Sequence, residues 1–434
     1  MYLIYLSAKI YYHINLLGEA GMKNFRDKTF LRNHAIDMLE WLKPICKDNE
    51  YGGFYCTIKD NGEVLDKEYK ELVSTARWIL NYSFGLLMGG NEDYKNYIRH
   101  GLEFLEIVHK DHENGGYHSV IIENKPKIGI KSTYGSAFVF CAFSTAYKAG
   151  VKEIYPLIGR TYDFMEKTIW DERYGLYIDD ATNDYSEILP YRGQNSNMHM
   201  TEAMLAAYEA TSDERYLDRA YILSNNVTKK LTKDSNGLIY EHYKTNLEID
   251  YEYNKNADKY SINNLLRPYG FLPGHWAEWA KLLLLLERYR PEDWQLEVAE
   301  YLFNKTMEYS WDTKKGGISY SVSLDRTIID PDNHYWAHIE IISAAASLAL
   351  RTKNEYYWEI YNKIWEFSDK YFIDKKNGGP WHRIISGDKK QPLSDIKLVP
   401  FDTDYHVIGA CHDIPNAMKY YEKDKNLFSQ DQNK

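Results

Sequence analysis

A short glycine-aromatic motif returns six times along the chain, and no other feature narrows the possible folds as much. It reads "YGGFY" at 51–55, "NGGYH" at 114–118, "RYGLYID" at 173–179, "SNGLIYEHY" at 235–243, "KGGISYS" at 315–321 and "NGGPWHR" at 377–383. The spacing is about 60 residues, with one interval near 80, and a fixed period marks a repeat architecture. Each unit reads alike: a helix-like segment, the glycine turn with a short β-prone stretch, then a second helix-like segment. The first segments span 30–47, 92–110, 152–169, 214–231, 292–310 and 355–371, and carry mixed charge beside an apolar stripe, as half-exposed helices do. The second span 70–89, 133–149, 198–211, 273–290, 335–352 and 405–422. "YGSAFVFCAFSTAYKAG" and "EIISAAASLAL" are apolar nearly all round, as helices buried on most sides are. Alternating outer and inner helices predict an all-α fold, an (α/α)6 barrel, with short β-hairpins at the mouth and inner helices walling a central cavity.

No Pro/Ser-rich linker separates the units, so residues 29–424 are expected to form one catalytic domain. An N-terminal extension, 1–28, precedes it and a polar tail, 425–434, follows. The long fourth interval adds "KTNLEIDYEYNKNADKYSINNLLRPYGF", 244–271. A loop of this length in a compact domain is usually functional or disordered, which makes it a candidate lid. Net charge is −10 and the basic residues are not clustered, so a nucleic-acid partner is not expected. No apolar run is long enough for a membrane span, and Lys9 interrupts the apolar opening, which also lacks a basic start. Cys46, Cys56, Cys141 and Cys411 are scattered and form no CxxC pair. That spacing predicts free thiols in a reducing cytoplasm. A monomer and a homodimer both fit.

In such a barrel, function collects where the inner helices begin, because helix starts present free N–H groups and partial positive charge. The first inner segment carries Arg77, the second Tyr134, the third Asn195 and His199. The fourth carries Arg267, His275 and Glu278, the fifth Trp336, His338 and Glu340, and the sixth Asp404, Tyr405, His406 and His412. Trp381 of the last glycine turn joins the candidate site residues. Histidines at four such starts, with an arginine, suit proton transfer beside a carbonyl, since imidazole serves as base and then as acid near neutrality. His199 and Glu202 are three apart, as are His275 and Glu278, so a carboxylate in each pair can fix its imidazole's tautomer. The same spacing suits a metal, but no dense Asp/Glu/His cluster appears in the sequence, and neither metal nor cofactor is expected. Glycoside hydrolysis is the alternative. It needs two opposed carboxylates, with Asp404 and Glu278 or Glu340 available for that role.

"RGQNSNMHMTEAMLAAYEAT" (192–211), "PGHWAEWAKLLLLLER" (273–288), the "YGGFY" start and the "YHVIGAC" end together resemble the N-acylglucosamine 2-epimerase superfamily, over about residues 30–420. The resemblance implies an (α/α)6 barrel and a cofactor-free reaction on a sugar. A base removes the C2 proton beside the C1 aldehyde to give a cis-enediolate. Reprotonation at C2 epimerises the sugar, and reprotonation at C1 isomerises it. It further implies His275 and His406 as the acid/base pair, His199 in ring opening, Arg77 on the enediolate oxygens and Glu278 orienting His275. Tyr134, Asn195, Arg267, Trp336, Glu340 and Trp381 are the expected substrate contacts. The sequence departs from family pattern at Asn197, where some members have histidine, and in "VIGACHD" after "YH". The "RGQNxNMH" form with "RPYGFLPGHxxEWAKLL" looks most like the branch acting on mannose, an unphosphorylated monosaccharide. N-acylglucosamine and cellobiose are the alternative substrates.

Overall fold

The computed structural model describes residues 23–258, 261 and 266–431, with side chains as far as residue 423. Residues 1–22 of the extension, 259–260 and 262–265 of the candidate lid, and 432–434 of the tail lie outside the described residues. Among the described residues, twelve long α-helices alternate in chain order. The outer six are α1 (Lys28–Leu42), α3 (Tyr94–Phe104), α5 (Tyr155–Thr168), α7 (Glu214–Asn225), α9 (Asp293–Ser310) and α11 (Glu355–Tyr371). The inner six are α2 (Leu72–Leu87), α4 (Thr133–Lys148), α6 (Asn195–Thr211), α8 (Pro273–Glu287), α10 (Tyr335–Thr352) and α12 (Tyr405–Asp431).

Each inner helix packs on its inner neighbours, and α12 returns to α2, so the ring closes. Burial follows composition. In α10 every residue from Ile339 to Ala349 is buried, whereas α5 buries only Ile158, Tyr162 and Met165 along one stripe. Of the outer helices, each inner helix packs most on the one that follows it, and α12 packs on α1. The tight helical hairpins are therefore inner-to-outer, while the repeat read from the glycines runs outer-to-inner. Short links make the difference: α6 ends at Thr211 and α7 starts at Glu214. The extension does not stop cleanly at 28, because Phe25 is buried and stacks on Trp365 with ring centroids 5.4 Å apart.

Four of the six glycine turns begin with an aspartate whose side chain accepts backbone N–H bonds two and three residues on: Asp48, Asp111, Asp312 and Asp374, as Asp48 does from Glu50 and Tyr51 and Asp374 from Lys376 and Asn377. The paired glycines take positive φ, 78° and 66° at Gly52 and Gly53. A Cβ on Gly53 would also lie 2.8 Å from the Phe104 ring, so no other residue fits there without rearrangement. Buried lysines lock three of these turns: Lys70 on Asp48 at 2.9 Å, Lys131 on Asp111 at 2.7 Å and Lys397 on Asp374 at 3.0 Å.

Small antiparallel ladders join successive units. Tyr69–Glu71 pairs with Val120–Ile122, Lys131–Ser132 with Asp180–Ala181, Arg192–Gly193 with His242–Tyr243 and Asn333–His334 with Ile384–Ile385. Ile396–Leu398 pairs with Thr57–Lys59 and joins the sixth unit to the first. In four of these ladders one strand leads into an inner helix, so the ladders hold inner-helix starts at one mouth. Among the described residues, no helix is long and apolar enough to cross a membrane, and all four cysteines are free and buried.

Candidate active site

Three imidazoles from three inner helices meet at the mouth, and each gives its Nδ1 to a carboxylate. On α6, His199 Nδ1 lies 3.0 Å from Glu202 of the next turn. On α8, His275 Nδ1 lies 2.9 Å from Glu241, which comes from the preceding glycine turn. On α12, His406 Nδ1 lies 2.8 Å from Glu340 of α10. An ionised carboxylate only accepts, so the shared proton sits on Nδ1 and Nε2 is left with its lone pair. Among the described residues no protein group bonds to any of the three Nε2 atoms. Glu241 is itself anchored by Gln194 Nε2 at 3.0 Å, and Trp279 Nε1 holds Gln194 Oε1 at 2.7 Å.

The rings form one continuous wall. His275 lies against Trp336 (centroids 4.9 Å apart), Trp336 against His406 (5.8 Å), and His406 beside His199 (6.5 Å). Tyr134 meets His199 edge to face at 5.2 Å. Its hydroxyl accepts from Arg77 Nη2 at 3.0 Å. Arg77 stands over the Phe138 ring at 4.3 Å, and its Nη1 donates to the Phe401 carbonyl. The Arg77 Nε–H is buried with no protein partner among the described residues, a donor left for another ligand.

The segment before α12 is held in an unfavourable backbone so that His406 arrives in place. Phe401 and Asp404 have φ of 73° and 59°, a region costly for residues with a Cβ unless the surroundings enforce it. Enforcement comes from every side. Phe401 N–H donates to Ser74 Oγ at 3.0 Å, and Asn81 Nδ2 donates to the Thr403 carbonyl at 2.8 Å. Arg383 Nε donates to Asp402 at 3.0 Å, and Trp381 N–H donates to Asp404 Oδ2 at 3.0 Å.

Beneath the imidazoles lies a buried charged layer: Glu202, Glu278, Glu340 and Lys281. Lys281 Nζ is 2.6 Å from Glu340, and Glu202 accepts the Tyr405 hydroxyl. Neither Glu278 oxygen has a hydrogen-bond partner among the described residues, and one lies 3.9 Å from His199 Nδ1. Burial, then the Glu340 charge, pushes the Glu278 carboxyl well above the usual range. Burial also raises Glu340, with Lys281 opposing it. At Glu202 burial is outweighed by His199, Lys281 and Tyr405, which hold it down to about 2. Burial, Arg77 and His199 push His406 well below the usual histidine range, so it stays neutral and able to accept a proton. Burial lowers His199 likewise, against the pull of Glu202.

Eight expected site residues form this connected set: Arg77, Tyr134, His199, His275, Glu278, Trp336, Glu340 and His406. Two have roles other than those expected. Glu278 does not bond His275; Glu241 does, and no sequence spacing links residues 34 apart. Glu340, expected as a substrate contact, holds His406 Nδ1, on the opposite side of the ring from the free Nε2. The acid-rich cluster that the sequence lacks is assembled by folding: His199, Glu202 and Glu278, and Glu278, Glu340 and His406, each bring ligand atoms within 4.8 Å. The Lys281 ammonium already places a cation against that layer.

Three expected contacts lie elsewhere or stand apart. Trp381 is 1% exposed, donates to His34 Nε2 at 2.8 Å and stacks on Phe372 at 6.0 Å, so it belongs to the outer layer of helices. Arg267 binds Asp180 and lies 3.6 Å over the Tyr191 ring, where it ties the fourth-unit insertion to the third hairpin. Asn195 opens α6 half-buried, with its carbonyl oxygen unpartnered among the described residues. The amide of Asn197, where the sequence departs from the family pattern, pairs with both backbone groups of Tyr177, at 2.8 and 3.0 Å. His338 is likewise engaged, accepting Ile318 N–H at 3.0 Å and facing the His334 carbonyl at 2.8 Å. Of the carboxylates a hydrolase would need, Asp404 accepts from Trp381 N–H and Glu340 is engaged by His406 and Lys281, while Glu278 has no hydrogen-bond partner among the described residues. Glu241, Gln194, Lys281 and Asp402 were missed. Only Lys281 carried a sequence signal, as a lone charge inside the apolar run "WAKLLLLL".

The profile of the N-acylglucosamine 2-epimerase (GlcNAc 2-epimerase) family matches residues 52–410. A D-mannose isomerase from Marinomonas mediterranea is 40% identical over 391 residues, covering 90% of this chain and 97% of the relative. A cellobiose 2-epimerase from Ruminococcus albus is 25% identical over 399 residues, covering 88% and 96%. A crystal structure of a D-mannose isomerase superposes with a TM-score of 0.87 at 39% identity, over 91% of this chain and 100% of that one.

Proposed function

Because this chain belongs to the N-acylglucosamine 2-epimerase family, we propose that it is a sugar isomerase acting on D-mannose, which it converts to D-fructose through a cis-enediolate. The observation that carries the reading is the trio of imidazoles, each fixed by a carboxylate on Nδ1 and bare at Nε2. A bare Nε2 on each side of an open-chain aldose supplies a base for one carbon and, once protonated, an acid for its neighbour. His275 and His406 take these two parts, with Trp336 packed between their rings. His199 assists ring opening. Arg77, with an unused N–H and a second guanidinium arm on Tyr134, stabilises the enediolate oxygens. Each donor so placed is worth about 10²–10³ in rate. All these steps use groups of the chain itself. Free, buried cysteines accord with a cytoplasmic enzyme, and we infer a monomer or homodimer.

Incubation with D-mannose in D2O, followed by NMR for loss of the C2–H signal and by chromatography for products, tests the reading. Deuterium incorporation with fructose as product is expected, whereas glucose as product identifies epimerisation. Absence of exchange with D-mannose, N-acetylmannosamine and cellobiose alike refutes it.

A further inference from the structure

The one lysine on the axis-facing surface of α8 is placed where it can govern His406 without touching a substrate. Its Nζ lies 2.6 Å from one oxygen of Glu340, and the other oxygen holds His406 Nδ1 at 2.8 Å. Ammonium, carboxylate and imidazole thus form a line from the barrel interior to the mouth. We propose that Lys281 is a positioning residue that keeps Glu340 ionised and thereby keeps His406 in the tautomer with Nε2 bare. The proposal rests on the reading of the site given above and adds a residue to it.

The surroundings show why a cation is needed. The groups whose charges act on Lys281 come from four elements: Glu202 on α6, Glu278 on its own helix, Glu340 on α10 and Asp413 on α12. His412 and Lys148 offset Asp413 from the other side. His199, His406 and Arg77 border the layer above. Glu340 and Glu278 repel one another in a medium that screens poorly, so one of them tends to hold a proton. Glu278 has no hydrogen-bond partner among the described residues, while Glu340 has the ammonium 2.6 Å from one oxygen as an ion pair and an imidazole N–H on the other. The ammonium thus directs the proton to Glu278. Were Glu340 protonated instead, its O–H would donate to His406 Nδ1. The imidazole proton would then move to Nε2, and the base would be lost.

The test compares Lys281→Met, which keeps the stem, with Lys281→Arg, which keeps the charge. Lys281→Met is expected to lower kcat about 10- to 100-fold with KM changed far less. It is also expected to shift the acidic limb of the kcat/KM profile about one pH unit or more to higher pH, because loss of an opposite charge raises the pKa of Glu340. Lys281→Arg returns the limb toward its original position. Imidazole nitrogen NMR reads the same claim without turnover: His406 carries its proton on Nδ1 in the native protein and acquires an Nε2–H population in Lys281→Met. That arm separates failure of this proposal from failure of the substrate assignment. A Lys281→Met protein with unchanged pH limb and unchanged His406 tautomer overturns the proposal. If that variant does not fold, Lys281→Gln, which keeps a donor to Glu340 without charge, is read by the same two measurements with the same outcomes.

Discussion

Removing the negative charge behind His275 separates geometry from chemistry. Glu241 is 3% exposed and accepts from both His275 Nδ1 (2.9 Å) and Gln194 Nε2 (3.0 Å) through one oxygen, while its other oxygen has no partner among the described residues. In Glu241→Gln the amide oxygen can retain both bonds, and the amide nitrogen takes the empty side. Shape and hydrogen-bond count are therefore preserved, and only the charge is lost. A hydrogen bond to a charged partner is worth about 1.5–3 kcal/mol against about 1 for a neutral one. When His275 gains a proton in the transition state, the difference of about 0.5–2 kcal/mol appears in the barrel's rate. At about 1.4 kcal/mol per decade this lowers kcat roughly 2- to 30-fold. Glu241→Ala, which also frees the ring, loses the whole bond, so about 10- to 150-fold is expected. Steady-state conversion of D-mannose, with C2–H exchange in D2O as a second readout, measures both. Equal rates for wild type and Glu241→Ala would refute the claim that Glu241 orients the base.

Other consequences are equally direct. His275→Ala and His406→Ala are each expected to abolish turnover while circular dichroism shows the native helical content; turnover retained in both refutes their pairing. Asn197→Ala strands two backbone groups of Tyr177 and is expected to cost about 1–3 kcal/mol in urea unfolding, with the preference among sugar substrates unchanged. Stability is expected to peak near pH 4–4.5 in urea titrations. Burial raises Asp179 and Glu71 to about 7, so their contribution is complete below about pH 4 and is lost as pH rises through 7. At Glu202 burial is outweighed by His199 and Lys281, which hold it at about 2; its contribution is present above about pH 4.5 and is lost as pH falls through 2. A urea midpoint that climbs steadily from pH 5 to pH 8 would contradict this.

The repeat and the helix positions were legible because they depend on local chemistry. Glycine pairs at positive φ and all-round apolar segments leave marks within a few residues. The outer segment expected at 355–371 is Glu355–Tyr371, and the inner one at 335–352 is Tyr335–Thr352. The partners of the histidines were legible only when they too were local. The spacing of three paired His199 with Glu202 correctly at 3.0 Å, yet the same spacing misassigned Glu278 to His275. The partner of His275 comes from a hairpin 34 residues earlier, and that of His406 from a helix 66 residues earlier. Such pairs are set by how hairpins and helices pack around the barrel, which leaves no trace in spacing. Trp381 was misplaced for the opposite reason: it shares the aromatic motif of the glycine turns, and that motif builds the outer layer.

The crowded polar starts of the inner helices resolve into two roles set two residues apart. Thr75 reaches His109 at 3.3 Å, and Arg77 faces the axis. Asn197 binds the Tyr177 backbone, and His199 faces the axis. Trp276 donates to the Ile239 carbonyl at 2.8 Å, His338 accepts from Ile318 and Asp404 accepts from Trp381, while Glu278, Glu340 and His406 lie inward. Two residues on a helix turn about 200°, so neighbours in this pattern point in opposite directions. The outward member stitches the helix to an outer hairpin, and that stitch fixes the rotation of the helix about its own axis. The inward member inherits its aim from the stitch. A substitution at Asn197 or His338 should therefore act on chemistry only through helix rotation, and an inward residue can change without loosening the barrel. This division lets one barrel hold its inner-helix starts rigid while carrying an unbalanced layer of buried charge at its centre.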